Sequence, residues 1–282
     1  MKKINWLIEK YVFEHYEDKL ATTIKNSGSN VIVYDESEKS LEDICKRFKE
    51  EDIVIIHSSL QDGRKMLRLP YYPGIFLTLE NYECYNYYGY FGDCLLNSNY
   101  LMMGINDLLR RKDEVFDYFK SESIFIRPSN GFKTFTGQTL PKKDFYTKYD
   151  TLMKSYGGID EGTLVLIAPI QEIEEEYRFI VIDGEVVSGA LYMNKEYREK
   201  WEAFWDKECD DERAFNFAIE MSKLYQPDKA FTIDICRTSN DEYKVMELNS
   251  FCCASMYGNN YDKVVKAINE LCIKEWKDIY EI

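Results

Sequence analysis

The sequence predicts an α+β protein in which a small α/β N-terminal domain, residues 1–95, precedes a second domain, residues 96–282. Three observations carry this. Short apolar segments alternate with helix-like periodicity through the first 56 residues, which implies a small parallel sheet. A stretch rich in Pro, Gly and Tyr then interrupts the rhythm, at residues 69–90. Beyond residue 95 the pattern changes to a helix followed by antiparallel hairpins. The length of 282 residues is compatible with roughly two domains at about 150 residues each.

Taken in order, residues 4–8 form a short apolar segment, 14–25 a helix ending near Gly28, and 30–34 a strand. Residues 40–50 read as a helix with a capping-box-like start at Ser40 and Asp43, its apolar face made by Leu41, Ile44, Cys45 and Phe48. Residues 52–56 are a strand. The stretch 69–90 carries Pro70, Pro73, Gly74 and Gly89 together with Tyr82, Tyr85, Tyr87, Tyr88 and Tyr90. The tyrosines have two readings, packing at a domain junction or a base-stacking platform. The absence of interleaved Lys or Arg favours packing. Residues 102–119 read as a helix, 124–126 as a strand, 142–155 as a helix stopped by Gly157 and Gly158, and 163–168 as a buried strand ended by Pro169. Two hairpins follow, with a helix at 211–225 between them and a final helix at 262–276.

Composition excludes several classes. Lys plus Arg is 36 against 50 for Asp plus Glu, a formal charge of -14, which counts against a broad phosphate-neutralising surface and hence against nucleic acid as the main partner. Among the eight cysteines there is no C-x-x-C pair, and His15 and His57 are the two histidines, so the ligand spacing of a structural zinc site is absent. The N-terminal apolar run is broken by Glu9 and Lys10 and lacks a small-residue cleavage site, and no later stretch reaches about 18 uncharged apolar residues. A cytoplasmic protein with reduced thiols and no membrane association is expected.

The most informative segment is FTIDICRTSNDEYKVMELNSF, residues 231–251. Period-two alternation puts Phe231, Ile233 and Ile235 on one face and Asp234 on the other. A hairpin centred on Asn240 and Asp241 sets Asp234 opposite Glu247 and Thr232 opposite Asn249, with Cβ atoms about 4.5–5.5 Å apart. Two carboxylates so placed repel unless a proton or cation intervenes. Asp234, Glu247 and the Asn249 amide oxygen form a hard, all-oxygen set suited to Mg²⁺. Spacing alone equally allows a solvated strand face.

In EYRFIVIDGEVVSGALY, residues 176–192, Asp183-Gly184 is a two-residue turn signal, and Glu176 and Arg178 share a face. The register places Arg178 opposite Gly189, which would leave space for the guanidinium to reach a phosphate or carboxylate. A surface arrangement of Glu176 and Arg178 is the alternative. In FIRPSNGFKTFTG, residues 125–137, a strand ending at Arg127 leads to a loop with Gly131, Lys133 and Gly137, where glycines would permit backbone approach to phosphate and the two cations neutralise it. An ordinary turn has the same composition.

In this order, R-P-x-x-x-x-K-x-F-x-G from Arg127 to Gly137, E-Y-R from Glu176 to Arg178, Asp234, and E-L-N from Glu247 to Asn249 resemble the ATP-grasp superfamily, and within it the divergent phage and bacterial R2K clade. The resemblance spans about residues 96–265. It implies an ATP-grasp fold, two α+β subdomains sandwiching ATP, preceded by a substrate-side domain. It also implies an ATP- and Mg²⁺-dependent ligase that activates a carboxylate as an acyl phosphate and joins it to an amine, on small-molecule, peptide or protein substrates. By resemblance Asp234, Glu247 and Asn249 would hold Mg²⁺, the backbone of Pro169, Ile170, Gln171 and Glu172 would read adenine, and Glu176 would bind ribose. Arg178, Arg127 and Lys133 would bind the phosphates and stabilise the transferring phosphoryl group, Arg127 standing where most members carry Lys. Residues 250–260 are expected to contact the second substrate or the phosphates. Two other functions stay open: an ATP-dependent RNA end-joining or repair enzyme, supported by the tyrosines and by Arg110, Arg111 and Lys112, and a non-catalytic nucleotide-binding module.

Overall fold

Strand β1 (Ile4–Glu9) is buried on both faces because it is an inner strand of a parallel sheet, flanked by β2 (Asn30–Tyr34) and β3 (Ile53–His57). A short β4 (Tyr72–Gly74) extends the order to β2-β1-β3-β4. In this computed structural model the structure describes residues 2–13, 17–200 and 207–280. Helix α1 (Glu17–Asn26) joins β1 to β2, while the expected helix start at residues 14–16, including His15, lies outside the described residues. Helix α2 (Leu41–Cys45) is capped as expected, the Ser40 hydroxyl accepting from Asp43 N, but it is shorter than the 40–50 span. Its end tightens as Arg47 N and Phe48 N donate to Ile44 O and Cys45 O, one residue short of α-helical spacing. Helix α3 (Leu60–Met66) follows β3.

The tyrosine-rich stretch contains a helix, α4 (Cys84–Phe91). Its 3.6-residue period sorts the side chains: Tyr87 and Tyr88 are buried, whereas Tyr85 and Tyr90 are 58% and 59% exposed. Residues 102–104, read as helix from sequence, instead belong to β5 (Leu101–Gly104), which pairs with β8 (Leu164–Pro169), and the helix α5 (Ile105–Phe119) starts after Gly104. Strands β6 (Ser123–Pro128) and β7 (Gln138–Pro141) complete an antiparallel sheet of order β5-β8-β6-β7. One face of it packs Ile124, Ile126, Val165 and Ile167 against Leu108 and Phe116 of α5 and Phe145 and Leu152 of α6 (Phe145–Ser155).

The predicted hairpins form a third sheet. Strands β9 (Ile173–Ile182) and β10 (Glu185–Asn194) are joined through Asp183 and Gly184, both at positive φ as a tight turn of this kind requires. After α7 (Lys195–Lys200), β11 (Lys207–Glu208) and α8 (Glu212–Leu224), the chain enters β12 (Ala230–Thr238) and β13 (Tyr243–Ser250), giving the order β11-β10-β9-β12-β13. The long helix α9 (Tyr261–Tyr280) ends the described chain.

By contacts the chain forms two compact units, residues 1–78 with 173–282, and residues 79–172. The compositional break near residue 95 coincides with neither edge. In the first unit the loop after β13 is tied to the parallel sheet: Ser58 N donates to Cys252 O at 2.8 Å, His57 Nε2 to Ala254 O at 3.1 Å, and Ser250 Oγ to Phe76 O at 2.6 Å. No described helix is long and apolar enough to cross a membrane.

Candidate functional site

One row across the third sheet gathers most of the expected charged residues. Asp234 of β12 pairs with Glu247 of β13 on one side and with Arg178 of β9 on the other, and Thr232 lies opposite Asn249. The expected opposition of Asp234 and Glu247 holds because two irregularities cancel. The turn is one residue longer than the expected two, with Thr238 N donating to Glu242 O across it, and Met246 then bulges out between Val245 and Glu247.

The face is not a solvated one. Asp234 is 1% exposed and Arg178 6%. The guanidinium grips the carboxylate bidentately, Nε donating to Oδ1 at 2.8 Å and Nη2 to Oδ2 at 2.6 Å, the strong planar geometry of an Arg–carboxylate pair. Burial alone would lower the Arg178 pKa, but the charge of Asp234 and these hydrogen bonds more than reverse that, so the guanidinium stays charged. Asn249 Nδ2 donates to Asp234 Oδ2 at 3.3 Å and to Glu247 Oε1 at 3.1 Å, so the amide bridges the two carboxylates. Two opposed carboxylates and an amide whose oxygen can be turned toward them fit a hard divalent cation.

Arg178 does not face Gly189, as the turn alone implied. A bulge at Val187 shifts the register by one, so Arg178 pairs with Ala190 and Gly189 with Phe179. A Cβ on Gly189 would lie 2.3 Å from Phe179 Cε1, so the glycine makes room for that ring and not for the guanidinium. Nor is the guanidinium loose. Besides Asp234, its Nη1 donates to Ser255 O at 3.1 Å, and it lies 4.8 Å from the Tyr257 ring centre.

Glu176 shares the Arg178 face, as the period of two requires. Its carboxylate accepts from the Tyr192 hydroxyl at 2.8 Å and from Arg198. Burial raises the Glu176 pKa, while Tyr192 and Arg198 act to lower it. Tyr192, which sequence reasoning missed, sits at a second bulge between Leu191 and Met193 that turns its side chain toward this face. It stacks on Tyr257 with ring centres 4.5 Å apart and planes at 10°. Tyr257 was missed as well; its positive φ of 46° belongs to a loop whose path no periodicity encodes. Within the segment 250–260, Asn259 Nδ2 donates to Arg178 O at 3.3 Å and to Met256 O at 2.8 Å, which fastens the loop behind the arginine.

The other expected residues belong to the second unit. Arg127, half-buried on β6, shares a face with Phe125, opposite the one that packs on α5 and α6. Lys133 is exposed, at positive φ of 49°. The loop glycines have packing roles: a Cβ on Gly131 would lie 2.9 Å from Tyr82 Cβ, and one on Gly137 2.6 Å from Phe125 Cζ. Pro169 ends β8, and Ile170, Gln171 and Glu172 are exposed and outside any element.

Comparison with solved structures shows the fold. D-cycloserine synthetase DcsG superposes with a TM-score of 0.65 at 10% identity, covering 95% of this chain and 99% of that one. D-alanine–D-alanine ligase from Bacillus anthracis gives 0.60 at 13% identity, covering 99% of each chain. A RiPP-associated ATP-grasp ligase from Chryseobacterium gregarium, in complex with ADP and a leader and core peptide, gives 0.56 at 13% identity, covering 96% of this chain and 97% of that one. No curated protein matches the sequence. The family model of the ATP-grasp domain, R2K clade family 2, matches residues 111–267, a span that holds β6 and its loop, the segment Pro169 to Glu172 at the end of β8 and the whole Arg178–Asp234–Glu247 row. That match covers more than half of the sequence, and the chain therefore belongs to the R2K clade of ATP-grasp proteins, family 2.

Proposed function

We propose that the protein is an ATP- and Mg²⁺-dependent ligase that activates a carboxylate and joins it to an amine, with amino acid, peptide or protein substrates. The observation that carries this reading is the row Arg178–Asp234–Glu247, bridged by Asn249, in which Arg178, Asp234 and Asn249 are buried and Glu247 is partly exposed, in a chain of ATP-grasp fold. A ligand set and a phosphate-seeking cation share one rigid sheet face, which suits a reaction whose catalysis is positioning and charge stabilisation.

In this reading Asp234, Glu247 and Asn249 hold Mg²⁺, which when bound would neutralise phosphate charge. Arg178, Arg127 and Lys133 bind the phosphates and stabilise the charge that spreads over the transferring phosphoryl group. The backbone of Pro169, Ile170, Gln171 and Glu172 faces adenine, and Glu176 the ribose. Residues 1–95 form the substrate-side domain and 96–282 the ATP-grasp domain, and the protein works in the cytoplasm. Arg110, Arg111 and Lys112, on which the RNA end-joining alternative draws, form local surface pairs with Asp107, Glu114 and Asp113.

The test is product release with Mg²⁺ across panels of amino acids, peptides and RNA ends. ADP formed only with a carboxylate and an amine together is expected. AMP release, or turnover only with RNA ends, would overturn the acyl-phosphate reading. Glu247→Gln should remove Mg²⁺-dependent nucleotide binding while leaving the fold intact, and unchanged binding in that variant would sink the metal assignment.

A further inference from the structure

We propose that Arg178 is the resident counter-ion of the ligand set, and that its transfer from Asp234 to nucleotide phosphate couples cation binding to nucleotide binding. This rests on the reading of Asp234, Glu247 and Asn249 as the Mg²⁺ ligands.

The set is closed on protein donors. Asp234 gives both oxygens to Arg178, and Oδ2 also accepts from Asn249. Asn249 points its NH₂ at both carboxylates, so its carbonyl oxygen, the atom a hard cation would take, is turned away from them. The opposite amide orientation would set that oxygen against two carboxylates and is disfavoured. A divalent cation at this set must therefore compete with a guanidinium already seated 2.6–2.8 Å from the oxygens of Asp234, which is 1% exposed, and the two like charges repel there with little screening by water.

The guanidinium has somewhere to go. A phosphate offers the same bidentate acceptor geometry as a carboxylate. Ser255 O accepts from Nη1, a nitrogen that Asp234 does not use, the ring of Tyr257 lies against the guanidinium, and Tyr192 stacks on Tyr257, so the side chain can exchange one anion for another without losing its anchorage. Once phosphate takes the guanidinium, Asp234 is left to the cation and the Asn249 amide can turn. Each ligand then favours the other, and by linkage the effect is reciprocal. Free divalent cation should bind the nucleotide-free protein poorly.

The experiment titrates Mn²⁺ into the nucleotide-free full chain and follows free Mn²⁺ by electron paramagnetic resonance, for wild type, Arg178→Lys and Arg178→Gln, each with and without Asp234→Asn. Affinity should rise in the order wild type, Lys, Gln. Lysine keeps a charge but cannot grip both oxygens, and glutamine removes the competing charge, for a gain of at least about tenfold. The gain should vanish with Asp234→Asn. Equal or weaker Mn²⁺ binding by folded Arg178→Gln, or a gain that survives Asp234→Asn, overturns the proposal. If the glutamine variant does not fold, Arg178→Lys decides alone: tighter binding than wild type supports the proposal, and equal or weaker binding overturns it. The metal-site reading fails separately, on Mg²⁺-dependent nucleotide binding that ignores Glu247→Gln.

Discussion

Gly189→Ala should destabilise the protein through the buried ring of Phe179, with little direct effect on Arg178. The added Cβ would lie 2.3 Å from Phe179 Cε1, 2.4 Å from Cδ1 and 3.3 Å from Cys209 Cβ. Carbon atoms in good contact sit at about 3.5–4.0 Å, so the ring would have to move by more than an ångström. It has no such room: Phe179 is fully buried, stacks near Tyr177 with ring centres 6.3 Å apart, and meets Phe215 edge-on at 5.5 Å. Overpacking of this kind costs about 1–3 kcal/mol. At roughly 2–4 °C per kcal/mol for a unit of this size, the melting midpoint should fall by about 2–12 °C. Thermal unfolding followed by circular dichroism reads this, and Gly189→Ala combined with Phe179→Leu should recover part of the loss, because the two sites are coupled. A single alanine variant as stable as wild type would refute the bulged register, and would bring back the alternative in which the glycine clears space beside Arg178.

Three further outcomes are expected. Lys133→Ala should weaken nucleotide binding measured by calorimetry, since its exposed ammonium is proposed to meet phosphate, and Arg127→Lys should retain more affinity than Arg127→Ala; full affinity in Lys133→Ala would leave that loop as a turn only. Burial lowers the His57 pKa from 6.5 to about 4, against the opposing hydrogen bond to Ala254 O, so the unfolded chain binds the extra proton first as pH falls. Stability from this group is therefore complete above pH 6.5 and drains away, by about 3 kcal/mol, as pH falls toward 4, and the loss should be absent in His57→Phe when urea midpoints are compared across that window. Tyr257→Leu should raise KM for ATP and lower kcat together, because it removes the ring that lies against the guanidinium; unchanged kinetics would show that Ser255 O suffices.

Much of the candidate site is legible in the amino-acid sequence. The two hairpins announce themselves by a two-residue side-chain period and by turn residues that tolerate positive φ, and both properties are local. They place Glu176 with Arg178 on one face and set Asp234 against Glu247. Even so, the second pairing holds only because a longer turn and the bulge at Met246 offset one another, and in the first hairpin nothing offsets the bulge at Val187, so Arg178 moves from Gly189 to Ala190. Bulges depend on which neighbour a side chain must avoid. For Gly189 that neighbour is the ring of Phe179, and no spacing rule contains it.

The local hydrogen-bonding chemistry of the chain thus decides which residues share a strand face, which turns are tight and which segments are apolar enough to be interior strands, as β1 and β3 are. Strand order is a different matter. The pairing of β9 with β12 joins residues 56 apart in sequence and is settled by packing of the whole sheet, and it alone brings Arg178 onto Asp234. From the hairpin by itself the two carboxylates called for an external cation. In the folded protein the nearest cation is supplied by a neighbouring strand, and the loop carrying Ser255 and Tyr257 closes over it. Burial strengthens the attraction between the two charges, because water no longer screens them, while their desolvation offsets much of that gain.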